Sequence, residues 1–152
     1  MASTSALELW ETLATAAAAE SPLWGEALRV DPERQPIFSP LAPELYALGL
    51  ETIYEGYLLH YGRSRLFTPP DADVALLLGD YLYAHGLVRI AATGNVEAVA
   101  ELAELISTCA ALQADGGAGD GDAWIATARR LGGSPAPAEV EHALAAHAAR
   151  VG

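Results

Sequence analysis

The segment from Asp71 to about Thr93 constrains the fold most, because it is apolar almost all round over the length of a long helix. Asp71 is a natural N-cap, and Gly94 supplies a stop at the other end. A helix that is apolar on every face is normally buried at the centre of a protein. The sequence therefore predicts a buried central helix over this segment.

Helical patterns flank this segment on both sides. One helix is predicted from Pro43 to about Gly62, and another begins at Asn95 after a tight turn. The turn makes the helices on its two sides an antiparallel hairpin. The core stripe predicted for the later helix consists of Val96, Val99, Ala103, Ile106 and Ala110.

The ends of the chain follow the same pattern. A first helix stops at Pro22, a Gly/Asp loop covers 114–121, and shorter helices are predicted at about 122–131 and 137–150. Alanine and leucine dominate, and no strand is predicted. We expect one all-α domain over residues 1–152, folded as an antiparallel helical bundle.

Two pairs of glycines interrupt the predicted helices at matching intervals. Gly49 and Gly56 lie seven residues apart, and so do Gly79 and Gly86, which places each pair on one face of its helix. A glycine within a helix costs about 1 kcal/mol relative to alanine. The pairs therefore predict either close approach of two helices or room beside them for a ligand.

The charge balance excludes several classes of partner. The formal net charge is −12, from 20 acidic residues against 8 basic ones, all arginine. Nucleic-acid binding is not expected, since phosphate contacts need a basic face. The single cysteine, Cys109, excludes an intrachain disulfide and is expected to be a small buried residue. Without a basic leader or an apolar run of about 20 residues, the chain is expected to be cytoplasmic, with no membrane span.

Asp80 is the least expected residue of the predicted central helix. It lies in the middle of an apolar run, and a buried carboxylate must be paired, hydrogen-bonded or protonated. Arg63 and Arg65, just upstream, are its candidate partners. It acts either as a buried polar anchor or as the acid of a pocket.

No metal or cofactor site is predicted. The loop from Asp115 to Asp122 lacks the residue order and final glutamate of a calcium loop. The four histidines share no metal-binding spacing. Asp71 and Asp73 are better explained by helix capping than by metal binding.

The string Leu76-Leu77-Leu78-Gly79-Asp80-Tyr81-Leu82-Tyr83-Ala84 resembles a helix of the trans-polyprenyl diphosphate synthases. The likeness extends over about residues 43–112 and includes the helix after Gly94-Asn95. The segment Leu58 to Arg65 stands where that family carries its first aspartate-rich motif and an arginine pair. The resemblance implies part of the isoprenoid synthase fold, and dimerisation through helices of this region.

The departures from the family pattern concern its chemistry. Family members hold magnesium with D-D-x-x-D motifs, whereas this sequence has no aspartate between Asp31 and Asp71 and no second such motif. Departure of a diphosphate needs strong cationic stabilisation. No lysine is present to hold a diphosphate, and the chain is shorter than family members. The family reaction is therefore not expected of this chain alone.

Three functions remain open at this point. The first is a non-catalytic relative, either a small or regulatory subunit of a prenyl diphosphate synthase or a homo-oligomer. The second is a binder of an apolar, isoprenoid ligand between the helices at 43–62 and 71–93. The third is a divergent enzyme with an acid/base site around His60 and Asp80, to which Glu51 could contribute. The candidate ligand-binding residues are Glu55, His60, Arg63, Arg65, Asp80 and His85.

Overall fold

The computed structural model describes the backbone of residues 2–151 and the side chains of residues 7–151. Over these residues the α-helices are α1 (Ala2–Glu20), α2 (Pro22–Glu26), α3 (Ala47–Tyr61), α4 (Ala72–Ala91), α5 (Val96–Ala114), α6 (Asp120–Arg130) and α7 (Pro137–Val151). Two 3-10 turns, Ser39–Leu41 and Glu44–Tyr46, precede α3. Within the described range the β-structure amounts to one isolated bridge between Leu28 and Phe67, so the predicted all-α class is confirmed.

The central helix of the bundle is α3 rather than α4. Every residue from Gly49 to Leu58 is buried. By contrast, α4 buries one face only, and Leu76, Leu77 and Val88 on its outer side are 53%, 55% and 62% exposed. The prediction that α4 is buried at the centre is therefore wrong. Apolar composition shows that a helix gains from burial, but the number of helices that cover it depends on the rest of the chain.

The core consists of two hydrophobic clusters. The larger joins α3, α5, α6, α7 and the 37–41 segment, around Tyr54, Tyr57 and Trp124. The smaller joins α1, α2, the 66–67 segment and α4, around Trp10 and Leu78. Since α3 contributes mainly to the first cluster and α4 mainly to the second, the contact between these two helices holds the clusters together.

The glycine pairs form the contact between α3 and α4. Gly49 faces Gly86, and Gly56 faces Gly79, so the two helices are antiparallel. A Cβ atom at Gly86 would lie 2.4 Å from Cγ1 of Ile53, and one at Gly56 would lie 2.9 Å from the backbone oxygen of Gly79. The predicted close approach of two helices is confirmed, and it leaves no room for a side chain at either crossing.

The predicted N-caps of α4 and α5 and the predicted end of α3 are confirmed, whereas α3 begins at Ala47 and not at Pro43, because a 3-10 turn over Glu44–Tyr46 comes first. Asp71 Oδ1 accepts a hydrogen bond from the backbone N–H of Val74 at 2.9 Å, and Asn95 Oδ1 accepts one from Ala98 at 3.2 Å. Gly94 has a φ of 86°, a left-handed conformation that favours glycine. α3 ends before Gly62, as its sequence predicts.

The predicted core stripe of α5 is wrong. The buried residues of α5 are Ala98, Leu102, Leu105 and Cys109. Val96, Ala103 and Ala110 are exposed, while Val99 and Ile106 lie at the edge of the core. Both stripes have helical spacing, and the helix turns the one with two leucines inward because it buries more apolar area.

Among the described helices, α4 is long and apolar enough to cross a membrane, with a mean hydropathy of 1.3 over the tested window. The expectation that no segment reaches this length is wrong for α4. Core helices of soluble proteins meet the same criterion. Here 28% of the window is buried, and the helix packs along α3 through its glycine face.

Substituting alanine for Gly56 tests the close contact between α3 and α4. The added methyl group would meet the Gly79 carbonyl, and overpacking of this kind costs about 1–3 kcal/mol, more than the helix propensity gained. We expect the free energy of unfolding, measured by urea denaturation, to fall by about 1–2 kcal/mol. The control is Gly25→Ala in α2, where the new Cβ would make an ordinary contact 3.4 Å from Ala18. Equal stability of the two variants would contradict the close contact.

Candidate functional site

The six candidate residues do not meet in one site. Glu55 and Arg65 are buried together beside α3, whereas His60 and Asp80 form a pair at the surface between α3 and α4. His85 and Arg63 are separate from both groups. The structure therefore divides the predicted site into a buried charge cluster, a surface pair and two further side chains.

The buried charge cluster consists of Glu51, Glu55 and Arg65, each with no more than 1% of its side chain exposed. Nη1 of Arg65 donates to Oε1 of Glu51 at 2.6 Å, and Nε of Arg65 donates to Oε1 of Glu55 at 2.8 Å. The backbone N–H groups of Ile37 and Ser39 donate to the other oxygen of Glu51, at 3.3 Å and 3.2 Å. The side chain of Glu51 thus connects α3 with the segment that precedes it.

The remaining polar atoms of the cluster are also satisfied. The hydroxyl of Ser64 donates to Oε2 of Glu55 at 2.5 Å, and the backbone N–H of Arg65 donates to Oε1 at 3.0 Å. The guanidinium carbon lies 4.6 Å from the ring centroid of Trp10 and 5.0 Å from that of Tyr54. Burial alone would lower the pKa of Arg65, but the two glutamates outweigh it and raise that pKa. These carboxylates are enclosed within the fold and do not face solvent or a substrate.

The surface pair joins α3 to the outer side of α4. Nε2 of His60 lies 3.2 Å from Oδ1 of Asp80, whose side chain is 65% exposed. The His60 ring lies over Gly79 and stacks on Tyr83, with ring centroids 5.0 Å apart. Asp80 is therefore neither buried nor paired with Arg63 or Arg65, and both of those predictions are wrong. The reason is that α4 has an uncovered face, on which Asp80 lies.

The other two candidates have local roles. The His85 ring stacks on Tyr81 with centroids 5.4 Å apart, and burial followed by the nearby Arg89 lowers the pKa of His85. Arg63 is exposed, and its backbone N–H donates to the carbonyl of Arg150 at 3.0 Å. Neither residue contacts the buried charge cluster through its side chain in the described structure.

A second buried polar network, around Asp120 and His147, was not predicted. Nδ1 of His147 lies 2.7 Å from the hydroxyl of Tyr54, and Nε2 lies 3.2 Å from Oδ2 of Asp120. Asp120 also accepts hydrogen bonds from the hydroxyl of Tyr57 and from Gln113. The network connects α3, α5, α6 and α7 beside the larger hydrophobic cluster.

The sequence contained only part of the information needed to find this network. His147 lies four residues after Ala143, on the buried face of α7. Asp120 was assigned to a flexible Gly/Asp loop, but α6 begins at Asp120 and draws this residue into the core. Burial raises the pKa of Tyr57, and Asp120 adds to that shift. The sequence signal for this network was weak: it consisted of an aspartate at a helix start, Asp120, and a histidine on the buried face of a later helix, His147.

The described residues provide neither a cluster of metal ligands nor a reactive thiol. Among the described residues, no group of three or more His, Cys, Asp or Glu side chains is arranged to hold a metal ion. Cys109 is buried, as predicted, and burial raises the pKa of its thiol to about 12. The thiol is thus protonated and enclosed at neutral pH.

The outer face of α4, which we define as Asp73, Leu76, Leu77, Asp80, Ala84 and Val88, is the largest uncovered apolar feature on this helix. From Leu77 to Val88 it runs about 16 Å along the helix axis. At the start of α5, Val96 is also exposed. Exposed leucine and valine side chains on one helix make this face a candidate protein contact surface.

The likeness to known proteins rests on few residues. No family model, no curated protein and no solved structure matches the chain. The resemblance to polyprenyl diphosphate synthases is therefore carried by the string around Gly79-Asp80-Tyr81-Leu82 and its helical context alone. The geometry of the described residues has to support any function on its own.

The His147 network predicts a specific pH dependence of stability. Burial lowers the pKa of His147 from its ordinary 6.5, although Asp120 acts in the opposite direction. The folded state thus favours the neutral ring, while the unfolded chain binds a proton below pH 6.5. Stability should fall as the pH drops from 6.5 toward the lower folded-state pKa, with a slope from this residue of at most about 1.4 kcal/mol per pH unit.

Urea denaturation of the protein and of His147→Gln at several pH values between 7 and 5 measures this slope. The variant should lose stability at neutral pH but show a shallower decline on acidification. His142→Gln is the matched control, because His142 is exposed on the same helix. If the control flattens the decline as much as His147→Gln does, the buried histidine is not its source.

Proposed function

We propose that the protein is a non-catalytic, polyprenyl-synthase-like subunit that acts by binding a catalytic prenyl diphosphate synthase. The observation that carries the proposal is the outer face of α4. This helix bears the string that resembles the synthases, and its leucine and valine side chains are uncovered in the single chain. The function then belongs to a surface and requires no reaction site.

The hydrogen bonds of Glu51 and Glu55, two candidate site residues, support this proposal. Glu51 and Glu55 are committed to Arg65 and to backbone N–H groups. Removing such a buried carboxylate from its partners would cost several kcal/mol. These two carboxylates serve the fold and are not available as a reaction site.

Charge favours a different protein over a second copy as the occupant. The outer face of α4 carries Asp73 and Asp80, and α5 adds the exposed Glu97 and Glu104. From residue 71 to residue 114 the only basic residue is Arg89, which lies at the inner edge of α4. The same face of a second copy would offer these carboxylates no exposed cation, whereas a partner with a basic rim around an apolar centre would match them.

The isoprenoid-ligand reading loses its proposed pocket. The space between α3 and α4 is filled by direct contact of the backbones at the glycine crossings. An acid/base site would have to use the His60–Asp80 pair alone, since the nearby glutamates are enclosed.

The proposal is tested by mixing the purified protein with the catalytic prenyl diphosphate synthase of the same organism. Size-exclusion chromatography with light scattering should show a mixed complex, and the product chain length should change. Leu77→Glu should weaken the complex more than about tenfold, because it places a charge among the apolar side chains of the contact.

The matched control is Leu45→Glu, at an exposed leucine 63% accessible on the turn before α3. Leu45 lies at the opposite end of the α3–α4 pair from Leu77, because Gly49 faces Gly86. This variant should bind normally. Separate elution with an unchanged product, or dimerisation of the protein without the synthase, would refute the proposed subunit role.

A further inference from the structure

A cavity of about 360 Å³ lies between α1 and the segment 28–34. We name it the arginine cavity, because two arginines, Arg29 and Arg34, line it in a chain of net charge −12. Its volume is within the range of small-molecule sites. The residues that line it include Trp10, Glu11, Arg29, Pro32 and Arg34.

The wall of the arginine cavity is fixed by backbone hydrogen bonds. The N–H of Arg29 donates to the carbonyl of Leu66 at 2.8 Å, and the N–H of Glu33 donates to that of Arg65 at 2.9 Å. The buried ring of Trp10 lines the cavity, and the guanidinium of Arg65 packs against this ring. These hydrogen bonds hold the segment 28–34 against residues 65–66, which lowers the ordering cost of binding.

The two arginines of the cavity differ from three of the other six arginines in the chain. Arg65, Arg130 and Arg150 each lie in a close ion pair with a glutamate. Arg29 has only a loose contact, 3.7 Å, with Asp31, whose side chain is 89% exposed. Exposed pairs of this kind contribute little to stability.

Arg34 is exposed and makes no ion pair within the described part of the chain. The Nη1 group of Arg29 is oriented by the carbonyl of Ser64 at 3.3 Å. Two guanidinium groups without a strong internal partner thus line one cavity. A carboxylate or phosphate is the group that such a pair recognises, because it accepts charge-assisted hydrogen bonds from both.

We infer that the arginine cavity binds a small organic anion, a carboxylate or a phosphate monoester with an apolar body. The anionic end lies against Arg29 and Arg34, and the apolar body lies against Trp10 and Pro32. Glu11 lines the cavity as well, so a ligand with charge at one end only is favoured over a multiply charged inorganic ion. This inference is independent of the subunit role, because none of these residues belongs to the outer face of α4.

Nuclear magnetic resonance titration of the full chain tests the inference with four probes: octanoate, octyl phosphate, inorganic phosphate and octanol. Octanoate or octyl phosphate should bind in the millimolar range or tighter and shift the amide signals of residues 28–34. The tighter of the two identifies the preferred head group. Weaker binding of inorganic phosphate and octanol is expected, because each lacks one half of the ligand.

Arg34→Gln should weaken binding of the preferred probe by about tenfold, the worth of a charge-assisted hydrogen bond. Because Arg34 is exposed, this variant should remain folded, and a thermal melt verifies it. Arg129→Gln, at an exposed arginine of α6, is the control and should bind as the unmodified chain does. Unchanged affinity in Arg34→Gln, equal binding of octanol or inorganic phosphate, or no binding of either octyl anion would overturn the inference.

Discussion

The ion pairs of Arg65 with Glu51 and Glu55 are the interaction on which the rest of the structure depends. Arg65 lies between the two hydrophobic clusters, with Trp10 on one side and Tyr54 on the other. Its partners allow α3 to be buried over ten consecutive residues despite two carboxylates. A buried charge of this kind is tolerated only when every partner is present, so the segments around residues 37 and 65 have to stay in place.

The space around α3 is filled, so any binding site has to lie at the surface of the protein. The buried ion pairs and the glycine crossings occupy the space beside α3 that a ligand would need. The outer face of α4 and the arginine cavity are both accessible, and they lie in different parts of the molecule. The first is apolar with acidic residues, as suits a protein partner, and the second holds two arginines, as suits a small anion.

The features that were predicted correctly from the sequence are local. Asp71, Asn95 and the glycine pairs are defined by neighbours within two helical turns, so their residue type and spacing were sufficient. The position of α4 could not be predicted, because its apolar residues do not reveal how many helices cover it. The exposure of Asp80 followed from the same uncovered face.

The partners of the buried charges were also beyond local reasoning. Glu51 and Arg65 are 14 positions apart, and Tyr54 and His147 are 93 apart. The two glutamates and Arg65 were recognised as chemically important, but only the tertiary structure shows that they hold one another. The most direct test is the unfolding free energy of Arg65→Met against that of Arg63→Met, an exposed arginine two positions away. We expect a loss of about 3–5 kcal/mol for Arg65→Met and a change within about 0.5 kcal/mol for Arg63→Met; equally small losses in both variants would contradict the central role of the buried ion pairs.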